Sequence, residues 1–305
     1  MNKKKRNLAA EAYKARLDEA GLNRLMLFDG IWKIQDKYLD SATKKSAYAL
    51  PNTEVAEHWY WQEQPFFSQA PISFDADLFA SALKDIAEYL VDKAGLEKNV
   101  AACLKSFDWR ELVDKTDVAE SGRNPSAYAQ DFCAQAHALS GEVLQPEMAV
   151  IVLGLALRPF LEHGAHALMT SLASVLEKGN ATHAKPLYCP SCGGQAVAAF
   201  VGETPSNQGN GRLLYCSACG TAWEFERVRC ATCGTNNQQH LHYYHIEGDD
   251  AHRLHMCDEC GAYMRTVFQE SLEVPFSFEV EDIVMAPLDA LAHDPRFELK
   301  KDSEE

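Results

Sequence analysis

The chain has 305 residues, 47% of them hydrophobic, and a formal net charge of −15, which suffices for a sizeable core and for two domains. The acidic balance speaks against a general nucleic-acid role, because backbone phosphates demand a positive face. Lys3, Lys4, Lys5 and Arg6 are followed by no apolar stretch, and the most apolar run, Met148 to Leu157, is far shorter than the roughly 20 residues that cross a bilayer. A cytoplasmic protein without membrane insertion, its thiols reduced unless a metal holds them, is therefore expected.

Residues 1–180 are predicted to form an all-α domain, since apolar residues recur at three-to-four-residue steps with little strand-like alternation. A first helix is expected over Asn7 to Ala20, ending at Gly21. A second, from Leu22 to about Leu39, places Leu25, Phe28, Trp32, Gln35 and Leu39 on one face, which is apolar except for Gln35. Between Pro51 and Pro71 the period lapses into a loop rich in aromatics (His58, Trp59, Tyr60, Trp61, Phe66 and Phe67), expected to wrap over the helical core.

Asp75 or Asp77 can cap a helix that runs to about Lys93, with Leu78, Ala82, Leu83, Ile86 and Leu90 inward and Gly95 beyond its end. Shorter helices follow at Asn99 to Ser106 and Asp108 to Lys115, then longer ones at Ser126 to Leu139 and Pro146 to about Lys178. The last is expected to kink or split at Pro159, with Ile151, Leu155, Leu168, Leu172 and Val175 in the core. Cys103 and Cys133 lack ligand-spaced neighbours and read as buried free thiols. His163 and His166 can share a helix face, but no His-Glu-x-x-His pattern surrounds them, so a solvated or hydrogen-bonded role is expected.

Gly179 to Pro186 interrupts the helical period and is expected to bound the first domain. Short strands are then predicted at Gln195 to Val201, Arg212 to Tyr215, Trp223 to Val228 and His240 to Ile246, with 202–211 as a loop tip. No Gly-Lys-Ser/Thr follows that loop, so it is not a phosphate loop.

This second half carries eight of the ten cysteines as four Cys-x-x-Cys pairs: Cys189/Cys192, Cys216/Cys219, Cys230/Cys233 and Cys257/Cys260. Each pair is followed by glycine (Gly193, Gly220, Gly234, Gly261), as a knuckle that curls round a metal-bound sulfur requires of a residue free to take φ > 0. The set repeats at an offset of 41 residues, so two tandem units related by duplication are expected, 186–226 and 227–270. Residues 271–305 then form a C-terminal segment and acidic tail.

Duplication favours sequential pairing, with Cys189, Cys192, Cys216 and Cys219 at one metal and Cys230, Cys233, Cys257 and Cys260 at the other. The rival is a nested pairing of first with fourth and second with third. Four thiolates close a tetrahedral shell round Zn²⁺ or a single iron, leaving no open position for hydrolysis. Structural support and one-electron redox remain as roles. Zinc ribbons of a transcription or RNA factor would normally be basic, yet Lys185 to Arg265 holds six basic and eight acidic residues. The run His240-Leu-His-Tyr-Tyr-His245 puts His240, His242 and Tyr244 on one strand face. A third metal site there is not expected, because the eight paired cysteines already make two complete sets.

The words Tyr188-Cys-Pro-Ser-Cys-Gly193, Arg212-Leu-Leu-Tyr-Cys-Ser-Ala-Cys-Gly-Thr-Ala-Trp223, Arg227-Val-Arg-Cys-Ala-Thr-Cys-Gly234 and Cys257-Asp-Glu-Cys-Gly-Ala-Tyr263 resemble FdhE, the formate dehydrogenase accessory protein family. The resemblance is strong from about 186 to 270. Upstream it rests on helical character and the segment Tyr13-Lys-Ala-Arg16; downstream, family members carry an acidic Asp-Asp-Leu stretch, for which this chain offers Val280-Glu-Asp-Ile-Val284. The resemblance implies a fold of α+β class, a helical domain followed by two rubredoxin-like four-cysteine units that bind iron, with zinc as the alternative. It also implies a non-enzymatic assembly factor that binds the catalytic subunit of respiratory formate dehydrogenase before export. A rubredoxin-like electron-transfer protein is the other reading of the same cysteines.

Overall fold

The computed structural model describes residues 3–45, 48–179 and 183–293; the expected acidic tail at 294–305 and residues 180–182 of the expected boundary lie outside them. Among the described residues ten helices come first: α1 (Lys3–Tyr13), α2 (Glu19–Lys45), α3 (Thr53–Trp61), α4 (Phe66–Gln69), α5 (Ala76–Lys93), α6 (Lys98–Ser106), α7 (Trp109–Lys115), α8 (Val118–Ser121), α9 (Pro125–Leu139) and α10 (Pro146–Gly179). Six strands follow, β1 (Ala198–Thr204), β2 (Asn207–Tyr215), β3 (Ala222–Phe225), β4 (Leu241–His245), β5 (His252–Cys257) and β6 (Tyr263–Phe268), and then α11 (Phe278–Val284) and α12 (Ala286–Ala292). The fold is α+β, a helical region followed by a sheet that carries two tandem four-cysteine clusters.

Several local expectations shift. The first helix ends at Tyr13 and α2 begins at Glu19, so Gly21 lies inside a helix; Asp18 Oδ1 accepts the Gly21 N–H at 2.7 Å and serves the orphan donors of its first turn. The aromatic stretch after Pro51 is two short helices. Tyr60, Phe66 and Phe67 are buried in the main core, which is the wrapping role. Asp75 caps α5 by accepting from the Leu78 N–H, and Gly95 follows with φ +64°.

Helix α10 is the central element, packed against α2, α5, α9 and α3. It runs through Pro159 as one helix. Proline has no N–H for the carbonyl of Leu155, four residues earlier, and Gln35 supplies the substitute: its Nε2 donates to Leu155 O at 2.9 Å. That bond explains the one polar residue on the apolar face of α2. Leu168 and Leu172 are buried as expected, but Ile151 is 47% exposed. The buried stripe there is Ala149, Val152, Leu153 and Ala156, and Ile151 falls on the opposite face.

The segment Pro146–Lys178 has the length and apolarity of a membrane span, yet 67% of its apolar 18-residue window is buried inside the fold. Its charged residues Arg158 and Glu162 are among the buried ones, which suits the core helix of a folded domain.

The two repeats form one six-stranded sheet in the order β3-β2-β1-β6-β5-β4. Within each repeat the neighbours are antiparallel hairpins, and the repeats join where β1 pairs parallel with β6, Ala198 opposite Arg265 through Val201 opposite Phe268. An offset of 41 maps β1, β2 and β3 onto β4, β5 and β6. The repeats therefore stand head to tail: the first strand of one abuts the last strand of the other. Residues 202–211, expected as a loop tip, mostly belong to the β1–β2 hairpin, with the turn near Pro205.

Candidate metal centres

Each Cys-x-x-Cys pair lies in a tight turn of the same build. The N–H of the following glycine donates to the carbonyl of the first cysteine at 2.8 to 3.1 Å, in Gly193, Gly220, Gly234 and Gly261 alike. These glycines take φ between +72° and +78°, the left-handed region that glycine enters without a Cβ penalty. A second bond closes each turn, from the N–H of the first cysteine to the carbonyl of Gly194, Thr221, Thr235 or Ala262.

These turns bring the cysteines together in sequential sets, Cys189, Cys192, Cys216 and Cys219 in one and Cys230, Cys233, Cys257 and Cys260 in the other, with the sulfurs of each set within 4.8 Å of one another. Sulfur separations of 3.5 and 3.6 Å in the first set and 3.7 and 3.8 Å in the second can be compared with a tetrahedral thiolate shell. At a metal–sulfur distance of about 2.3 Å such a shell has edges of about 3.8 Å. Both sets could therefore hold one metal ion each.

The charge environment fits as well. Four thiolates round a divalent ion carry a net negative charge, and a buried arginine stands by each cluster. Arg158 of α10 donates to Ser217 O, inside the second knuckle of the first set, at 2.9 Å and to Tyr215 Oη at 2.7 Å. Glu162 and Glu279 flank it, and against the upward push of burial Arg158 holds the Glu279 carboxyl below its ordinary range. Arg212 of β2 is 1% exposed, donates through Nη1 to Arg229 O, and keeps Nε and Nη2 without a hydrogen-bond partner. Burial pulls its pKa down, while the Cys230 charge is one of those opposing that fall. A charged second cluster would compensate this buried cation.

The clusters differ in their surroundings. All four cysteines of the first belong to the main hydrophobic core beneath α3, α4 and α10. The N–H groups of Phe66 and Phe67, at the start of α4, donate to Pro190 O and Ser191 O at 2.8 and 3.0 Å. Thr221 Oγ1 lies 3.1 Å from Cys219 Sγ and donates to Ser191 Oγ. In the second cluster Cys230 and Cys257 are buried and Cys233 and Cys260 exposed. Burial pushes the Cys230 thiol up, but the N–H groups of Cys233 and Thr232, directed at its sulfur, win and hold it at about 7.

Other candidates fall elsewhere. Cys103 and Cys133 are half-buried free thiols whose pKa burial raises. His163 Nδ1 lies 3.4 Å from Thr43 Oγ1, and His166 lines an apolar groove of about 420 Å³ between α10 and the first repeat. His242 Nε2 meets Asp258 Oδ2 at 2.8 Å; among the described residues the two cysteine sets are the only groups with metal-ligand geometry. Sequence reasoning passed over Arg158, Glu162, Arg212 and Glu279. The available signal was a charged pair at four-residue spacing inside an otherwise apolar helix.

Residues 188–227 match the family model described as "FdhE, central domain". Among curated relatives, the FdhE homolog of Aquifex aeolicus is 31% identical over 112 residues, 36% of this chain and 38% of that protein. The homolog of Rhizobium meliloti is 27% identical over 210 residues, 65% of this chain and 66% of its own length. The chain thus spans between 38% and 66% of these two relatives. The crystal structure of the FdhE protein from Pseudomonas aeruginosa shares the fold, with a TM-score of 0.52 at 22% identity over 88% of this chain and 83% of that one. The knuckle words, the paired clusters and the order of helical region and sheet all agree with this likeness: the chain is similar to the FdhE proteins, matches their central domain over residues 188–227 and shares their fold.

Proposed function

We propose that the protein is a non-enzymatic accessory factor for formate dehydrogenase maturation, binding the catalytic subunit in the cytoplasm before export. The observation that carries this reading is the pair of complete four-cysteine clusters in a chain with the FdhE central domain. In this reading Cys189, Cys192, Cys216, Cys219, Cys230, Cys233, Cys257 and Cys260 are the ligands of two ions, iron in the native protein and zinc as the substitute. A closed four-thiolate shell leaves no coordination position for a substrate, which suits a binding role better than hydrolysis. The −15 charge suits an acidic client-binding protein better than a nucleic-acid binder.

The test is deletion and complementation. Loss of the chain should abolish formate dehydrogenase activity while the catalytic polypeptide is still made, and the intact chain should co-purify with that subunit. A variant lacking all four cysteine pairs that restores full activity would overturn the proposal.

A further inference from the structure

The duplicated clusters are equivalent in sequence and unequal in position. The first is locked: its cysteines are at most 7% exposed, and its x-x residues are bonded from the helical domain at Pro190 O, Ser191 O and Ser217 O. Pro65 covers Gly193 so closely that an added Cβ would lie 3.0 Å from its ring. Arg158 and Glu162 similarly close over Gly220, at 3.3 Å from such a Cβ.

The second cluster has no such cover from the helical region; the side chain that closes over Gly234, at 3.3 Å from an added Cβ, is Arg229 of its own repeat. Its knuckles are bonded within their own repeat, through Thr235 O, Ala262 O and the contact of the Asp258 N–H with His240 O. One cysteine of each pair, Cys233 and Cys260, reaches the surface. Thr232 and Gly261, next to those two, line a groove of about 370 Å³ that also takes in Tyr188 and Met256.

The geometry points to a division of labour in which the first cluster is a permanent structural centre and the second is an exchangeable one, loaded and unloaded through Cys233 and Cys260. This deepens the metal-binding reading given under Proposed function and rests on it. Ligand exchange needs an incoming donor to reach the ion as a resident sulfur leaves, and only the second cluster presents sulfurs to solvent. With an incoming thiol, Cys260 Sγ gives up its bond to the ion and takes the proton that the thiol loses. No electron is transferred.

The test uses the full chain loaded with two equivalents of Co²⁺ under anaerobic conditions, so that the thiolate charge-transfer absorption reports each ion. Challenge with excess EDTA should remove one equivalent at a rate roughly ten-fold or more above the other. Iodoacetamide, followed by peptide mass mapping, should label Cys233 and Cys260 before any cysteine of the first set. Cys260→Ser should abolish the fast phase and keep the slow one. Equal rates, first labelling among Cys189 to Cys219, or a fast phase that survives in Cys260→Ser would overturn the division while leaving the metal-binding reading intact. Binding of fewer than two ions would overturn both. Because no client is present, failure of the formate dehydrogenase reading leaves these outcomes unchanged.

Discussion

Tyr13 Oη donates to the Glu281 carboxylate at 2.9 Å across a sequence separation of 268 residues. The two residues come from the segments Tyr13-Lys-Ala-Arg16 and Val280-Glu-Asp-Ile-Val284, which the family resemblance singles out separately at opposite ends of the chain. His252 completes the group, with Nε2 at 2.9 Å from Glu281 and Nδ1 at 2.8 Å from Asp249. The acidic stretch is therefore a strap. From α11, Glu279 reaches Arg158, Glu281 reaches Tyr13 and His252, and Asp282 reaches Arg265, so one short helix ties α1, α10 and the second repeat together.

Removing one partner from this buried group should cost far more than removing a surface pair. Glu281→Ala leaves His252 without its buried counter-charge and should destabilise the fold by about 3 to 5 kcal/mol. Tyr13→Phe removes one hydrogen bond to a charged group and should cost about 1.5 to 3 kcal/mol. Urea unfolding of both variants checks the ranking, and equal small losses would show that the strap does not hold the ends together.

The same group sets a pH dependence. Although burial pushes it down, the carboxylates of Asp249 and Glu281 raise the His252 pKa from 6.5 to about 9. A pKa raised on folding stabilises fully below the unfolded value and is lost as pH rises through the folded one. Asp249 works the other way: although burial opposes it, the His252 contacts lower its pKa, so its contribution is present above 3.8 and falls away in acid. Comparison of wild type with His252→Asn should show a difference of up to about 3 kcal/mol near pH 6 that fades above pH 9. A difference constant between those two pH values would refute the assignment.

Gln35 and Pro159 should be energetically coupled. Gln35→Ala leaves Leu155 O without a donor and should cost about 1 to 3 kcal/mol. In a Pro159→Ala background the helix supplies its own N–H to that carbonyl, so the same Gln35→Ala change should cost less. A double-mutant cycle by thermal unfolding measures the coupling, and additive losses would mean that the side chain does not replace the missing helical bond.

Serine at Cys216 and at Cys257 should each remove one metal equivalent, with different consequences for the rest of the fold. Cys216 belongs to the main core and Cys257 does not. Cys216→Ser should therefore lower the melting temperature followed by helical circular dichroism, whereas Cys257→Ser should leave that transition in place and loosen only the second repeat. Equal effects on the helical transition would mean that the two clusters are alike in their coupling to the helices.

The sequence by itself determined the features that depend on short spacing. Cys-x-x-Cys-Gly fixes a knuckle because glycine alone enters φ near +75° freely, and the 41-residue repeat fixes which knuckles share a set. Helices α5 to α7 were legible because Asp75, Asp108 and Gly95 cap or end them locally. What only the tertiary structure decided depends on partners far along the chain. Two repeats with matching cysteine spacing differ in burial because α3, α4 and α10 cover one and not the other, and local sequence carries no record of that cover. The join of β1 to β6, the long reach of Gln35 to Leu155 and that of Tyr13 to Glu281 are likewise contacts between distant segments. Each satisfies a backbone or buried polar group whose partner periodicity cannot name.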